Sequence, residues 1–152
     1  WDEVDTKQTV DVTSPDNILV SGKLANGGVA SVHIASNPWV GSGYRMEIYG
    51  REGTLIASSE GSANTNAVRL QGVREGNTLE DMEIPEKYIY VLEGMPQGEP
   101  YNVGQMYYQF GQAILSGTSC QPDFNEAVKL HHFIDDILAA ADQAQEGVVG
   151  TV

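Results

Sequence analysis

Three residues between positions 33 and 39 have side chains that could bind a polar ligand. His33 lies on the polar side of a predicted strand near Ser21, and Asn37 and Trp39 follow it a few residues later. An imidazole and an amide can donate and accept hydrogen bonds, so the group is typical of a pocket for a polar small molecule. The same side chains suit a protein interface on the face of a sheet, and both interpretations stay open.

Other reactive side chains lack the partners that their chemistry requires. The glycine-rich string at 41–46 misses the last glycine of the dinucleotide fingerprint and leads into a strand, so we predict a loop there. Cys120 has no histidine near it in sequence to activate its thiol, and we interpret it as structural. His131 and His132 each precede an aspartate by four residues, but adjacent histidines point about 100° apart on a helix. We therefore predict no catalytic, cofactor-binding or metal-binding residue in this chain.

Composition restricts the classes of protein to which the chain can belong. Its 152 residues, 41% hydrophobic and 19% charged, predict one soluble globular domain. The net charge of -13 argues against nucleic acid and against an anionic membrane surface, because both attract clusters of Lys and Arg. A single cysteine cannot form an internal disulfide, which suits the cytoplasm. The chain opens on Trp1 rather than Met, which indicates processing or a longer polypeptide.

From Val10 to about Tyr90, short segments of alternating polarity are separated by Gly, Asn and Pro, a pattern typical of an antiparallel sheet. A first hairpin with a three-residue loop at 26–28 would place Leu24 opposite Ala30 and Gly22 opposite Val32. Its apolar face would comprise Val20, Leu24, Ala30, Val32 and Ile34, and its polar face Ser21, Lys23, Ser31 and His33.

A second hairpin is predicted to turn at residues 50–53. Its register aligns Met46 and Ile48 with Leu55 and Ala57. The opposite face then carries Arg45, Glu47, Tyr49, Thr54, Ile56 and Ser58. A third strand pair, at 67–73 and 79–84, is more acidic and less apolar, so we expect it at an edge of the sheet.

Two helices are predicted after an irregular segment at 93–100. Asn102 and Gln105 have the spacing of a capping box at the start of the first helix, and Gly117 supplies its stop. Asp123 and Glu126 form the next capping pair. Apolar residues recur at helical spacing at Val103, Met106, Tyr107, Phe110 and Ile114 in the first helix, and the second helix carries Phe124, Val128, His131, Ile134, Leu138 and Ala141.

The two helical stripes need an apolar surface to cover, and the apolar side of the sheet provides one. We therefore predict an α+β fold in which an open, mostly antiparallel β-sheet has helices packed on one face, as a two-layer sandwich. The other face is polar, with Tyr, His and Ile among its residues, and is available for a partner.

Two strings in this order resemble one known family. They are LVSGKLANGGVASVH and YRMEIYGREGTL, and a final helix led by Pro122-Asp123-Phe124 follows them. The chain is similar to the C-terminal domain of the Gfo/Idh/MocA family, named for glucose-fructose oxidoreductase, inositol dehydrogenase and rhizopine catabolism. Its members show L-x-N-G-x-x-A-S and then [IM]-x-[IV]-x-G-x-x-G-x-L, which correspond to residues 24–31 and 46–55 here. The resemblance covers essentially the whole chain.

The resemblance implies a parent protein in which an N-terminal Rossmann domain, missing from this chain, binds NAD or NADP. It implies an oxidoreductase acting on a sugar, a polyol or a related hydroxyl compound. This domain would then shape the substrate side and form a homo-oligomer through its open sheet face. The family's Gly-x-His-x-x-Asp string does not occur here, so we expect no activity from the isolated chain. Candidate substrate contacts are His33, Asn37, Trp39, Tyr44 and Arg45.

Two other classes of function fit the same residues. A ligand-sensing or regulatory protein could keep the fold without catalysis and self-associate through its sheet. A stand-alone carbohydrate-binding domain is the third hypothesis, although the two capped helices argue against it. A G-x-G-x-x-G segment and a Lys-Pro motif encoded upstream would favour the oxidoreductase.

Overall fold

A computed structural model describes residues 2–11, 13–36, 39–76 and 78–146, with side chains described as far as residue 143. The chain divides into two compact units, Trp1–Val40 and Gly41–Val152. The α+β class predicted from the sequence is confirmed, but the described strands form two antiparallel sheets rather than one. The elements are β1 (Asn17–Lys23), β2 (Val29–Ala35), β3 (Tyr44–Tyr49), β4 (Gly53–Ser59), β5 (Arg69–Arg74), β6 (Glu80–Asp81), α1 (Glu99–Ser116) and α2 (Phe124–Glu146).

The first unit contains the hairpin β1–β2, whose loop lies one residue earlier than predicted. The Leu24 N–H donates to the Gly28 carbonyl at 2.8 Å, so the three loop residues end at Gly27. Gly27 has a φ of 86°, which suits the last loop position because that position is left-handed. The predicted pairing is therefore wrong by two residues, and Gly22 lies opposite Ala30. A shift of two residues keeps every side chain on its predicted face.

The second unit contains the four-stranded sheet, in the order β3-β4-β5-β6. The register predicted for its first hairpin is confirmed, with Met46 opposite Ala57 and Ile48 opposite Leu55. The short strand β6 pairs with β5 at an edge of the sheet, as the acidic composition of the third pair predicted.

Strand alternation gives this sheet two different faces. The face that we call the apolar face carries Met46, Ile48, Leu55, Ala57, Leu70 and Met82. The face that we call the polar face carries Arg45, Glu47, Tyr49, Thr54, Ile56, Ser58, Arg69, Gln71, Val73 and Asp81. Among the described residues, Ile56 and Ala113 are the buried apolar side chains. Ile56 lies on the polar face between Glu47 and Gln71, so part of the core is on the side predicted to be open.

Helix α1 begins three residues before the predicted N-cap. Both members of the predicted capping box hydrogen-bond to the main chain of other segments instead. Asn102 donates from Nδ2 to the Asn64 carbonyl at 2.8 Å. Gln105 accepts the Tyr90 N–H at 2.6 Å through Oε1 and donates from Nε2 to the Tyr88 carbonyl at 2.8 Å. The capping box was therefore wrong, and these two side chains attach α1 to the loops around it.

The predicted stop and start between the two helices are confirmed. Gly117 ends α1 with a φ of 67°, the left-handed conformation that a terminal glycine adopts readily. The Asp123 carboxylate then accepts the N–H groups of Asn125 and Glu126 at 2.8 and 3.0 Å. Asp123 is therefore the N-cap of α2.

The apolar stripes of both helices remain exposed. Phe124 is 91% exposed and Ile134 43% on α2, and Tyr107 is 70% exposed on α1. Where α1 does pack, it packs on a loop, because the rings of Tyr90 and Tyr108 stack with their centroids 5.5 Å apart. The described side chains of α2 therefore do not cover the sheet as the stripes predicted. Within the described part of the chain, neither helix combines the length and hydropathy that a membrane crossing requires.

Candidate functional site

The candidate residues His33 and Trp39 belong to the first unit. His33 is exposed in β2 opposite Leu19, two pairs along from the opposed hydroxyls of Ser21 and Ser31. Trp39 is fully exposed. Asn37, the remaining candidate of this group, lies outside the described residues. The imidazole and the nearby hydroxyls therefore share one polar surface, which can exchange hydrogen bonds with a ligand or a protein.

Tyr44 and Arg45 belong to the second unit, and the structure does not bring their side chains together. They are consecutive residues of β3, so they point to opposite sides of the sheet. The Tyr44 hydroxyl lies 3.5 Å from the Met46 sulfur, on the apolar face. Arg45 lies on the polar face, where it pairs with Glu47 at 2.5 Å. Of the two, only Arg45 joins a group of polar side chains.

That group is a row of three side chains on β3, Arg45, Glu47 and Tyr49. The Arg45 Nε donates to Oε1 of Glu47 at 2.6 Å, and the Tyr49 hydroxyl donates to Oε2 at 2.6 Å. The hydrogen bond from Tyr49, followed by the one from Arg45, holds the pKa of Glu47 below its ordinary value. The same carboxylate raises the pKa of Tyr49.

These pKa shifts decide what the row can do chemically. Glu47 stays ionised and Tyr49 stays protonated at neutral pH, so neither group is near the protonation equilibrium that general acid–base catalysis uses. The row instead presents donors and acceptors in fixed positions on an exposed surface. It is therefore suited to binding hydroxyl groups or a polar protein surface rather than to moving a proton.

A second charged pair lies farther across the polar face. Arg69 donates through Nε and Nη2 to the two carboxylate oxygens of Asp81, at 2.6 and 2.9 Å, in a two-pronged pair. That guanidinium lowers the pKa of Asp81. Both side chains are more than half exposed, so the pair adds little to stability but fixes the position of two charges.

The second unit also contains an apolar cleft of about 880 Å³ between α1 and the start of α2. We call it the helix cleft; it is lined by Met106, Tyr107, Phe110, Ser119, Cys120, Pro122, Asp123, Phe124, Glu126, Ala127 and Leu130. The N–H of Glu126, followed by Asn125, lowers the pKa of Asp123, whose carboxylate is occupied as the helix cap. None of these lining residues is basic, so the Cys120 thiol has no cationic neighbour there to activate it.

The described residues contain no group of three or more His, Cys, Asp and Glu side chains that could hold a metal ion. His131 and His132 are exposed along α2, each four residues before an aspartate. The i, i+4 pairs therefore remain helix-surface pairs in the described structure.

Comparison of the chain with protein-family models, with curated proteins and with solved structures finds no match. The site must therefore be argued from the chain's own residues. Sequence reasoning named Arg45 as a candidate but missed Glu47 and Tyr49, although the strand alternation already placed all three on one face. The missed signal is the run Arg-x-Glu-x-Tyr, in which one carboxylate separates two donors at strand spacing.

Proposed function

We propose that this chain is the substrate-side and oligomerisation domain of a cytoplasmic NAD(P)-dependent oxidoreductase acting on a sugar, a polyol or a related hydroxyl compound. The observation that carries the proposal is the position of the two strings that resemble the Gfo/Idh/MocA family. The string at 24–31 spans the turn between β1 and β2, and the string at 46–55 spans the turn between β3 and β4. Their glycines lie where the turns need them, as at Gly27 with its φ of 86°.

The row Arg45–Glu47–Tyr49 supports a role in binding. A sugar or polyol offers hydroxyl groups that both donate and accept, and the row supplies an anionic acceptor beside a cationic donor. The segment at 41–46 does not suit a dinucleotide, because it leads into β3 instead of the N-terminus of a helix. We therefore assign the nicotinamide, which would accept or supply the hydride, to a separate domain.

We expect the gene to encode a Rossmann domain upstream of this chain, and the test joins the chain to that domain. We expect the joined protein to reduce or oxidise the nicotinamide with a sugar or polyol from a panel, and the isolated chain to give no turnover. Absorbance of the reduced nicotinamide measures both. A joined protein that binds NAD or NADP but turns over no member of the panel would count against the oxidoreductase.

A pair of arginine variants tests the row. Arg45→Ala removes a donor from the polar face, and we expect a rise in KM of roughly 10- to 150-fold, since a charged hydrogen bond contributes about 1.5–3 kcal/mol. Arg74→Ala is the matched control, because Arg74 also pairs with a glutamate, Glu52 at 2.6 Å, but belongs to the opposite face. Equal KM values for the two variants would exclude the row from substrate binding.

A non-catalytic sensing or carbohydrate-binding module is the second candidate. The observation that favours it is the full exposure of Trp39, because exposed aromatic rings can pack against the apolar side of a sugar. In that case the isolated chain would bind the sugar, and Trp39→Ala would abolish the binding measured by calorimetry. Turnover by the joined protein would decide against this candidate.

A further inference from the structure

The second unit exposes two apolar surfaces. One is the helix cleft, in which Tyr107 is 70%, Phe110 51% and Phe124 91% exposed. The other is the apolar face of the sheet, where Met46, Ile48, Leu55 and Met82 are each between 41% and 51% exposed. One surface is a cleft lined by aromatic side chains, and the other is a sheet face with two methionines, whose flexible side chains can fill a cleft.

We propose that two copies of this chain exchange their helices, so that α1 and α2 of each copy cover the apolar face of the other. The three aromatic side chains of the cleft alone expose roughly 400 Å², taking about 200 Å² for each full side chain. In a reciprocal exchange each copy buries both its cleft and its apolar face. The sum approaches the roughly 800 Å² that each partner of a stable dimer buries.

Charge favours a second copy in this arrangement over a pairing of helix on helix. Between residues 124 and 146, α2 carries five acidic side chains and one lysine, a net charge of -4. Two such helices packed against each other would place like charges together. The strand residues of the apolar face include one arginine, Arg74, and one glutamate, Glu80, whose charges cancel. Docking the helices on the apolar face therefore avoids the repulsion between two acidic helices.

The tethering of α1 explains why the cleft is left for a second copy. Asn102 and Gln105 attach α1 to the main chain at Asn64, Tyr88 and Tyr90. The helix is held by loops at its first turns, and its apolar residues farther along remain exposed. The exchange therefore needs no loss of the hydrogen bonds that hold α1, and an isologous dimer with two identical interfaces results.

The test measures the mass of the 152-residue chain by size-exclusion chromatography with light scattering. We expect twice 16.4 kDa for the wild type. Ile134→Asp on the apolar side of α2 and Ile48→Asp on the apolar face should each give monomers. The matched controls are His132→Asp, two residues away on the polar side of α2, and Ser58→Asp on the polar face, and both should stay dimeric. Circular dichroism checks that each monomer keeps its helices.

Mixing the two monomeric variants distinguishes exchange from other dimers. The Ile48→Asp copy has an intact helix and the Ile134→Asp copy an intact sheet, so the mixture should recover a dimer with one undamaged interface. A wild type that is monomeric at every concentration would overturn the proposal. It would also be overturned if only one of the two substitutions gave a monomer, or if the mixture of the two variants stayed monomeric. The inference rests only on the oligomerisation part of the proposed function. Turnover by a joined protein that is monomeric would refute the exchange of helices but would still support the oxidoreductase activity.

Discussion

Gly43 fixes the start of β3, and replacing it should destabilise the second unit more than replacing any open glycine. It has a φ of 75°, and a Cβ built there would lie 2.6 Å from the carbonyl carbon of Glu60 and 2.7 Å from its oxygen. The carbonyl oxygen of Ser59 would be in contact as well. The close approach lets the Tyr44 N–H donate to the Gly61 carbonyl at 2.9 Å, which positions the strand that carries Arg45.

The magnitude follows from two separate costs of Gly43→Ala. The left-handed conformation costs an alanine about 1–2 kcal/mol. The overlap is with main-chain atoms, which cannot rotate away as a side chain can, and overpacking of this kind costs about 1–3 kcal/mol. Restricting the unfolded chain returns about 0.4–1 kcal/mol. We therefore expect the free energy of unfolding to fall by about 1–4.5 kcal/mol, with about 3 kcal/mol as the central value.

Gly94→Ala separates the two costs. Gly94 has a φ of 85° in the same unit, but nothing lies within 4 Å of its Cβ position. Urea unfolding followed by circular dichroism should give a loss of about 1 kcal/mol for Gly94→Ala, the conformational cost alone. If Gly43→Ala costs no more than Gly94→Ala, the contact with residues 59–60 does not restrict this position and the argument fails.

Two further predictions concern the helices. Gln105→Ala should lower the free energy of unfolding by about 1–3 kcal/mol in urea melts, because it leaves the Tyr90 N–H and the Tyr88 carbonyl without their partner. Gln105→Glu keeps only the acceptor, so its loss should be intermediate. An unchanged free energy for both variants would contradict the role of Gln105 in attaching α1 to the loop. The lowered pKa of Asp123 means that its stabilisation is complete above the ordinary aspartate value of about 3.9 and is lost as the pH falls through the lower folded value. The helicity of the wild type, measured by circular dichroism, should therefore fall in that acid range relative to Asp123→Asn, whose cap does not titrate. Parallel curves of helicity against pH for the two proteins would contradict this role of Asp123.

The parts of the fold that local chemistry decides could be predicted from the sequence. The register of β3 and β4 follows from the alternation between Arg45 and Tyr49 and from the glycines of the turn. Gly117 and Asp123 end and begin helices because each satisfies terminal main-chain groups by itself. Such features need no knowledge of the rest of the chain.

The parts that depend on distant segments could not be predicted. Asn102 and Gln105 have the spacing of a capping box, but their side chains bind main-chain groups 38 and 15 residues away. The loop of the first hairpin contains two adjacent glycines, and choosing Gly27 instead of Gly28 for the left-handed position shifts the pairing by two residues. In the candidate site, alternation placed Arg45 on the polar face, but the hydrogen bonds of Glu47 to both neighbours required the geometry of the side chains.

Ile56 links the stability of the sheet to the row on its polar face. It is 5% exposed beside Glu47, whereas Leu55, on the opposite face, is 41% exposed. Truncation to alanine removes three carbons in each case, worth about 0.8 kcal/mol each when fully buried, and a cavity adds to the cost at Ile56. We expect a loss of about 3 kcal/mol for Ile56→Ala and about half as much for Leu55→Ala in urea unfolding. Because Ile56 lies beside Glu47 on the neighbouring strand, the first variant alone should also bring the pKa of Tyr49 down toward that of a free tyrosine, measured by ultraviolet titration against a Tyr49→Phe background. An unmoved phenol would mean that the row is held by its own hydrogen bonds and not by the side chain beside it, and equal losses of stability would contradict the burial of Ile56.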